Sequence, residues 1–324
     1  MIVVLGSGIS GLLLGQRLRM LKKQFVILER SQGPNTSNNS LGSFYCHEEL
    51  PFVHPEPLRI RATSCPGGTA ESYALKVYGD PTVSVSYSQY VTEKNSERIG
   101  WKYDRIKLMD GLRDKIIYNC EIYRIVPAEK IVYAFDGRSW HYDYILSTIP
   151  LPVLISLSRL QFDNSIKSVF KSAPIHLQVI PHLVLTDPNI PDQARNILKQ
   201  GELDDHDVVF HYCASSCHPW YRTSFDVGHE EPEHFDNSGC GRYSPTQSRI
   251  IIYGKYEHTN EVANSIPLRP GKFRLFRREM ASVVYAKDQI NIHDIYLFGR
   301  YAEWEPKLLT HNTWHKSEIL SGLD

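Results

Sequence analysis

The stretch Ile2-Val3-Val4-Leu5-Gly6-Ser7-Gly8-Ile9-Ser10-Gly11-Leu12-Leu13-Leu14-Gly15-Gln16-Arg17-Leu18 decides how this chain folds. Its first four apolar residues have the length and composition of a fully buried strand, and the leucine-rich segment after the glycines has the character of a helix packed on it. Between them lies the spacing G-x-G-x-x-G. Gly6 permits a tight turn, Gly8 lets the backbone approach a pyrophosphate, and Gly11 lets the helix pack close to the strand. The free N–H groups where that helix starts, around Ser7, Ile9 and Ser10, attract phosphate.

Phe25-Val26-Ile27-Leu28 is a second apolar run of strand length. It ends at Glu29, where a carboxylate can accept hydrogen bonds from an adenosine ribose. Glycine-rich turns also arise from packing alone. Here the flanking strand and helix, with an acid where the ribose belongs, predict a dinucleotide unit. The residues themselves leave NAD and FAD open.

A chain of 324 residues can bury a substantial core and suggests about two domains. Hydrophobic residues at 42% and charged residues at 22% are the proportions of an ordinary soluble globular protein. The formal net charge is zero, so no global field draws in nucleic acid or a membrane surface, although a local patch can. No secretory signal is expected, because the glycine loop interrupts the first apolar run, and no run is long enough to span a membrane. The six cysteines are scattered, which points to reduced thiols and a cytoplasmic setting.

Further along, Ser31 to Ser40 is polar and loop-like, and Leu41-Gly42-Ser43-Phe44-Tyr45-Cys46-His47-Glu48-Glu49 follows it. In a flavoprotein that second stretch would pass beneath the pyrophosphate and reach the isoalloxazine. Phe44 and Tyr45 would then pack on the ring, and His47 would titrate near neutral pH; a satisfied histidine beside a surface acid pair is the plainer alternative. Between Pro51 and Tyr103, the alternation in Leu58–Thr63 and Val83–Tyr87 predicts an inserted layer of antiparallel strands. A short helix is expected over 103–113. Ile116–Ile125 and Lys130–Phe135 are runs around a turn, and Tyr142–Leu146 leads into Ser147-Thr148-Ile149-Pro150, where proline stops the strand. Beyond it, 190–200 is expected to be helical, whereas 208–212 and 249–253 are expected strands. Arg269, Lys272, Arg274, Arg277 and Arg278 interleave with Phe273 and Phe276. The plain reading is a solvated helix face, and the sharper one is a strip that contacts phosphate.

Three segments together carry a family resemblance. They are Gly6-x-Gly8-x-x-Gly11 with Glu29-Arg30, Asp143-Tyr144-Ile145-Leu146-Ser147-Thr148-Ile149-Pro150, and the closing Gly299-Arg300-Tyr301-Ala302-Glu303-Trp304. In combination they resemble the FAD superfamily of amine oxidases and UDP-galactopyranose mutases. The resemblance implies an α/β fold with a Rossmann-like FAD-binding domain of the glutathione-reductase type (1–50, 104–152 and 287–324) and a second, mixed α+β substrate domain (51–103 and 153–286). It implies FAD as cofactor, held by Gly6, Ser7, Gly8, Ile9, Ser10, Gly11, Glu29, Arg30, Gly42, Ser43, Phe44 and Thr148. Arg300, after Gly299, would contact the pyrophosphate or ribityl, backbone at Leu309 the flavin edge, and backbone at Ile122 the adenine. A helix capped by Thr310 would follow and favour negative charge on the reduced flavin. Pro219-Trp220-Tyr221-Arg222 looks like the mutase segment that brings an arginine over the flavin.

Two departures from the pattern stand out. After Glu29 only Gly42 replaces the usual double glycine, and the chain leaves little room for a full mutase substrate domain. The compact size and Phe44–Glu48 look more like the small phage FAD enzymes of thymidine hypermodification. That likeness implies oxidation of a C–N bond in an amine, N-glycyl-substituted thymidine in DNA for instance, with His47, Tyr221, Arg222 and Trp304 as candidate catalytic residues. The partners would be an amine-bearing small molecule or a modified nucleotide, and no membrane. A non-redox flavin isomerase is the alternative. His211, Cys213, Cys217 and His218, with His229, His234 and Cys240 beyond, offer soft ligands for zinc, but the spacing is no common finger pattern and no metal is expected.

Overall fold

The computed structural model describes residues 1–33, 43–51, 55–64, 68–83, 96–159, 170–179, 207–216, 219–226, 248–255, 260, 273–278, 281–283, 292, 294–303 and 308–323. The chain opens with β1 (Ile2–Leu5), α1 (Ile9–Met20), β2 (Phe25–Leu28), β3 (Ser43–Cys46), β4 (Glu56–Ser64), α2 (Ala70–Tyr78) and β5 (Ser96–Asp104). It continues with α3 (Arg105–Leu108), β6 (Ile116–Ile117), β7 (Ile122–Val126), β8 (Ile131–Ala134), β9 (Ser139–His141), β10 (Tyr144–Ser147) and α4 (Leu151–Ser158). Next come β11 (Phe170–Val179), β12 (Asp207–Tyr212), β13 (Trp220–Asp226), β14 (Ser248–Lys255), β15 (Phe273–Arg278) and β16 (Ala281–Val283). The last are β17 (Ile295–Leu297), α5 (Arg300–Glu303) and α6 (Thr310–Lys316). Two compact units result: Met1–Glu56 with Trp101–Ser168 and Val284–Asp324, and Pro57–Gly100 with Val169–Val283.

The first unit is built on a parallel sheet in the order β17-β10-β1-β2-β6. Val4 lies opposite both Leu146 and Ile27, so β1 is central and its residues are buried on both faces. Alternation sorts them. Ile2 and Val4 pack with Leu12, Leu13, Leu14 and Leu18 of α1 and with Trp314 of α6, whereas Val3 and Leu5 join Ile125, Val132 and Ala134 of the antiparallel layer β7-β8-β9, with Leu151 and Leu154 of α4. A strand sandwiched this way must be apolar throughout, which is why its sequence shows no period of two. Each fully buried leucine in these layers contributes roughly 1.5–3 kcal/mol. β3 adds an antiparallel pairing with Trp101–Asp104.

The second unit is a sheet in the order β15-β11-β14-β13-β12-β4-β5. Its pairings from β15 to β12 are antiparallel, but β4 runs parallel to β12, in contrast to the antiparallel layer expected from its alternation. Alternation fixes which face is buried and says nothing of a strand's direction. α2, unexpected from the sequence, begins with a reciprocal cap in which Thr69 Oγ1 accepts from the Ser72 N–H at 3.1 Å and the Thr69 N–H donates to Ser72 Oγ at 2.8 Å. It ends at Gly79, whose φ is 72°. The helix expected over 103–113 is confined to α3, because Trp101–Asp104 are held by β3. The basic residues Arg274, Arg277 and Arg278 lie on β15, a strand and not a helix, paired to β11. The helix expected over 190–200, together with Arg269 and Lys272, lies outside the described residues.

Within the first unit, α6 is fastened to α1 by Arg17. Its guanidinium carbon lies 3.8 Å from the Trp314 ring centroid, and its Nε donates to Ser317 Oγ at 3.0 Å. Arg17→Ala should therefore lower unfolding stability in urea by about 1–2 kcal/mol. A change indistinguishable from that of an exposed arginine would show the contact to be inconsequential.

Candidate functional site

In an open parallel sheet, ligands bind beyond the carboxyl ends of the strands, where the chain leaves to opposite sides. Here β1 is that strand, with β2 on one side and β10 on the other. Gly6 follows it with φ +93°, which a side chain rarely adopts. At Gly11 a Cβ would come 1.9 Å from the Gly6 carbonyl oxygen, so helix and turn are in direct contact. By contrast, nothing lies within 4 Å of a Cβ at Gly8. Gly8 caps α1 with no side-chain hydrogen bond, leaving the first-turn N–H groups around Ile9 and Ser10 without a capping side chain.

Glu29, at the end of β2, is bound back to this loop. Its Oε2 accepts from the Ser7 N–H at 2.7 Å and from Ser7 Oγ at 2.9 Å, and its Oε1 accepts from the Ser31 N–H at 2.9 Å. Burial pushes the carboxyl upward, but the backbone donors of Ser31 and Ser7 and their hydroxyls outweigh it, and its pKa is lowered. The Glu29 carbonyl accepts from the Cys120 N–H at 2.9 Å, which brings the chain leading to Ile122 alongside. Ile122 opens β7 and is half-buried, and Arg30 is exposed.

The closing segment arrives at the same place. A Cβ at Gly299, φ +87°, would lie 2.5 Å from Ser10 Oγ, and Ser10 Oγ is 3.3 Å from Thr313 Oγ1 of α6. Thr148 donates to the Leu5 carbonyl at 2.7 Å and completes the wall beside Gly6. Arg300 turns its guanidinium onto the Leu308 carbonyl, at 3.0 Å from Nη2, and so braces the approach to α6. The helix cap is Leu309 and not Thr310: the Leu309 N–H donates to Asn312 Oδ1 at 2.8 Å, with Thr310 the first helical residue. Asn312, at the third helical position, takes up the N–H of the cap residue itself.

A second polar group sits where the chain after β3 meets α6. Glu48 Oε2 is 2.6 Å from His315 Nε2, and Glu48 Oε1 is 3.5 Å from His311 Nε2. His47 stands edge-on to His311, with ring centroids 6.1 Å apart. The His315 hydrogen bond holds the Glu48 carboxyl below its usual range, helped by the charge of the neighbouring imidazoles. Burial lowers the pKa of His311 against the pull of Glu48. The Cys46 thiol, buried and facing Glu48, is pushed up to about 12. His311 and His315 were not singled out in the sequence, although their spacing of four on a helix places them on one face.

In the second unit, Tyr221 and Arg222 share an aromatic cluster. Tyr73 of α2 meets Tyr212 at 5.8 Å and Tyr221 at 6.4 Å, and the Arg222 guanidinium lies 5.9 Å from the Phe210 ring centroid. An irregularity in the β13–β14 register between Trp220 and Arg222 accompanies the approach of these consecutive side chains to one cluster. Lys76 donates to the carbonyls of Ser215 and Trp220 at 2.6 and 2.7 Å beside the buried Cys213. His211 lies on β12. Cys217, His218, His229, His234 and Cys240 lie outside the described residues, as do Gly42 and Trp304, and among the described residues no three ligands are grouped to hold a metal. Ser43 and Phe44 are on β3, opposite Asp104 and Tyr103. No described helix is long and apolar enough to cross a membrane.

The depressed pKa of Glu29 has a consequence for folding. A carboxyl whose folded value lies below its unfolded one stabilises above the unfolded range, and loses that contribution as pH falls through the depressed value. The stability difference between wild type and Glu29→Gln, followed by urea unfolding, should be widest near neutral pH and should shrink as pH falls below the ordinary value of 4.5. A difference that does not vary with pH would contradict the assignment.

No protein-family model matches the chain, and no curated protein matches it. Solved structures do. A reduced UDP-galactopyranose mutase superposes with TM-score 0.61 at 13% identity, covering 100% of this chain and 96% of that one. The 2,6-dihydroxypyridine-3-hydroxylase of Arthrobacter nicotinovorans superposes with TM-score 0.53 at 8% identity, covering 100% and 84%, and the p-nitrophenol 4-monooxygenase of Pseudomonas putida DLL-E4 with 0.52 at 12%, covering 99% and 78%. Identities this low speak to fold alone: the chain has a mixed α/β architecture with a parallel sheet, and its fold is similar to that of these three proteins.

Proposed function

We propose that this chain is an FAD-dependent oxidoreductase that oxidises a C–N bond of an amine. The carrying observation is the convergence on Ser10, where the glycine loop, Gly299 and Thr313 meet. The residues fit FAD: there is open space at Gly8 for a diphosphate, uncapped N–H groups beside it, and a carboxylate at Glu29 that its neighbours keep ionised for a ribose. Gly6, Gly8, Gly11, Glu29 and Thr148 would hold the nucleotide half, and Gly299, Arg300 and Leu309 the flavin half. Bound FAD supplies the hydride acceptor for the carbon next to the amine nitrogen.

The chain's own task is to bind the amine neutral and to place that carbon. For an N-substituted glycine, the carboxylate calls for a forked guanidinium contact. Loss of a hydride and a proton gives an imine, and water splits it to glyoxylate and the free amine. On an N-glycyl thymidine in phage DNA the outcome is an aminomethyl base, a lyase-like result.

A second reading, a non-redox mutase, is favoured by one observation. The chain covers 96% of the mutase it superposes on, so its length is no obstacle to that chemistry. The readings separate by experiment. Protein reconstituted with FAD should bleach at about 450 nm with an N-substituted glycine under anaerobic conditions; activity only after chemical reduction, with no turnover in oxygen, would select the mutase instead.

Gly8→Ala tests the cofactor reading directly. Since no atom lies near a Cβ at Gly8, where φ is −62°, the apoprotein should keep its stability to within about 0.5 kcal/mol. FAD binding, measured by quenching of flavin fluorescence, should weaken by roughly tenfold or more. Unaltered affinity would move the diphosphate elsewhere.

A further inference from the structure

The outer face of the β7-β8-β9 layer carries an exposed cluster of aromatic rings. Val132 and Ala134 of β8 are turned into the core, so Tyr133 between them and Phe135 after them are turned outward. An irregularity in the β7–β8 register inserts Tyr123 between Ile122, which stands opposite Ala134, and Arg124, which stands opposite Tyr133. The inserted residue joins the outward side: its ring centroid is 5.1 Å from that of Phe135 and 6.2 Å from that of Tyr133. Phe135 is 69% exposed and Tyr123 45%. Rings grouped in water this way leave a patch of apolar area uncovered, and such a patch marks a contact surface, as a lone exposed ring does not.

Two opposite charges flank the rings. Glu121, whose carbonyl accepts from the Phe135 N–H at 2.9 Å, lies at one end, and Arg124, opposite Tyr133, at the other. Both are exposed, and neither makes an ion pair with a described residue. The neighbouring cations are already engaged, Arg138 with Asp136 and Lys130 with Asp294. Glu129, in the turn after β7, and His141, opposite Ile131, lie towards the far end of the strands from Phe135.

This pattern decides what the face suits. An acid beside the rings repels a polyanion, and a single arginine is a poor anchor for one. A surface with one negative and one positive end is instead complementary to itself. A two-fold axis through Tyr123 sets Glu121 of one copy against Arg124 of the other, twice over, while the rings meet at the centre. Tyrosine, phenylalanine and arginine are also the residues that concentrate in protein contacts.

We propose that this face joins two copies of the chain in an isologous dimer, with Tyr123, Tyr133 and Phe135 as its apolar centre and a Glu121–Arg124 pair on each side of the axis. The formal net charge of zero leaves the copies without long-range repulsion. β7, β8 and β9 have only 5, 4 and 3 residues, so the face is smaller than a standard interface and the dimer is weak, with a dissociation constant of about 1–100 μM.

The test is sedimentation equilibrium of the full-length protein from about 1 to 200 μM, with charge reversals at the two flanking residues. The wild type should pass from monomer to dimer across this range. Glu121→Arg alone and Arg124→Glu alone each set like charges across the axis and should weaken the dimer by roughly tenfold or more. Both positions are exposed, so the fold is kept. Mixed one to one, the two variants should associate again, because each then meets the opposite charge at both contacts, and the doubly reversed chain should dimerise as the wild type does. A wild type that stays monomeric throughout, a dimer indifferent to either reversal, or two variants that remain apart on mixing overturns the proposal. The result depends on neither flavin nor substrate, so it stands or falls separately from the amine reading.

Discussion

The first unit depends on a contact that no side chain can enter. Gly11 lies so close to the Gly6 carbonyl that any Cβ would overlap it, and this fixes where α1 starts relative to β1. With α1 set, Ser10 is placed for Gly299 and Thr313, and Arg17 is placed for Trp314. A chain end some three hundred residues away is thus positioned by two glycines near the start. Packing this tight cannot be relaxed locally, because a shift of α1 would have to carry the leucines buried between α1 and the sheet with it.

Two carboxylates in this unit are kept ionised by different means. Glu29 is half-buried and relies on backbone and hydroxyl donors from Ser7 and Ser31, which are fixed by the strand–loop geometry. Glu48 is exposed and relies first on the His315 hydrogen bond, a single side-chain partner. The first arrangement is tied to the backbone and keeps its charge over the neutral range. The second rests on one imidazole of α6 and can be lost with a single rotamer change.

Much of the first unit was legible in the sequence because its determinants are local. Ile2–Leu5 and Phe25–Leu28 announce strands buried on both faces, and the three glycines announce the turn between strand and helix. The cap of α6 was misassigned by one residue, since Thr310 is the better capping type and only the fold reveals that Asn312 closes on the Leu309 N–H. α2 was hidden because its buried residues, Tyr73, Ala74, Val77 and Tyr78, include two aromatics of strand-like propensity, and the Thr69–Ser72 cap is an uncommon form of the box. The Glu48–His315 contact joins residues 267 positions apart, and no spacing rule reaches that far. The direction of β4 was illegible for the same reason, its partner β12 lying beyond Asp207.

A shared fold does not choose between oxidising an amine and rearranging a sugar nucleotide, so the choice falls to individual residues. A sugar nucleotide carries its own diphosphate and calls for cations that stay charged at neutral pH. His311 answers that need poorly, because burial holds it neutral and its Nε2 already faces a carboxylate. An amine reverses the requirement: it must be neutral before the carbon beside it can give up a hydride, so its nitrogen calls for no neighbouring cation. Burial leaves His311 no charge to offer a phosphate, so any cation for a diphosphate has to come from other residues.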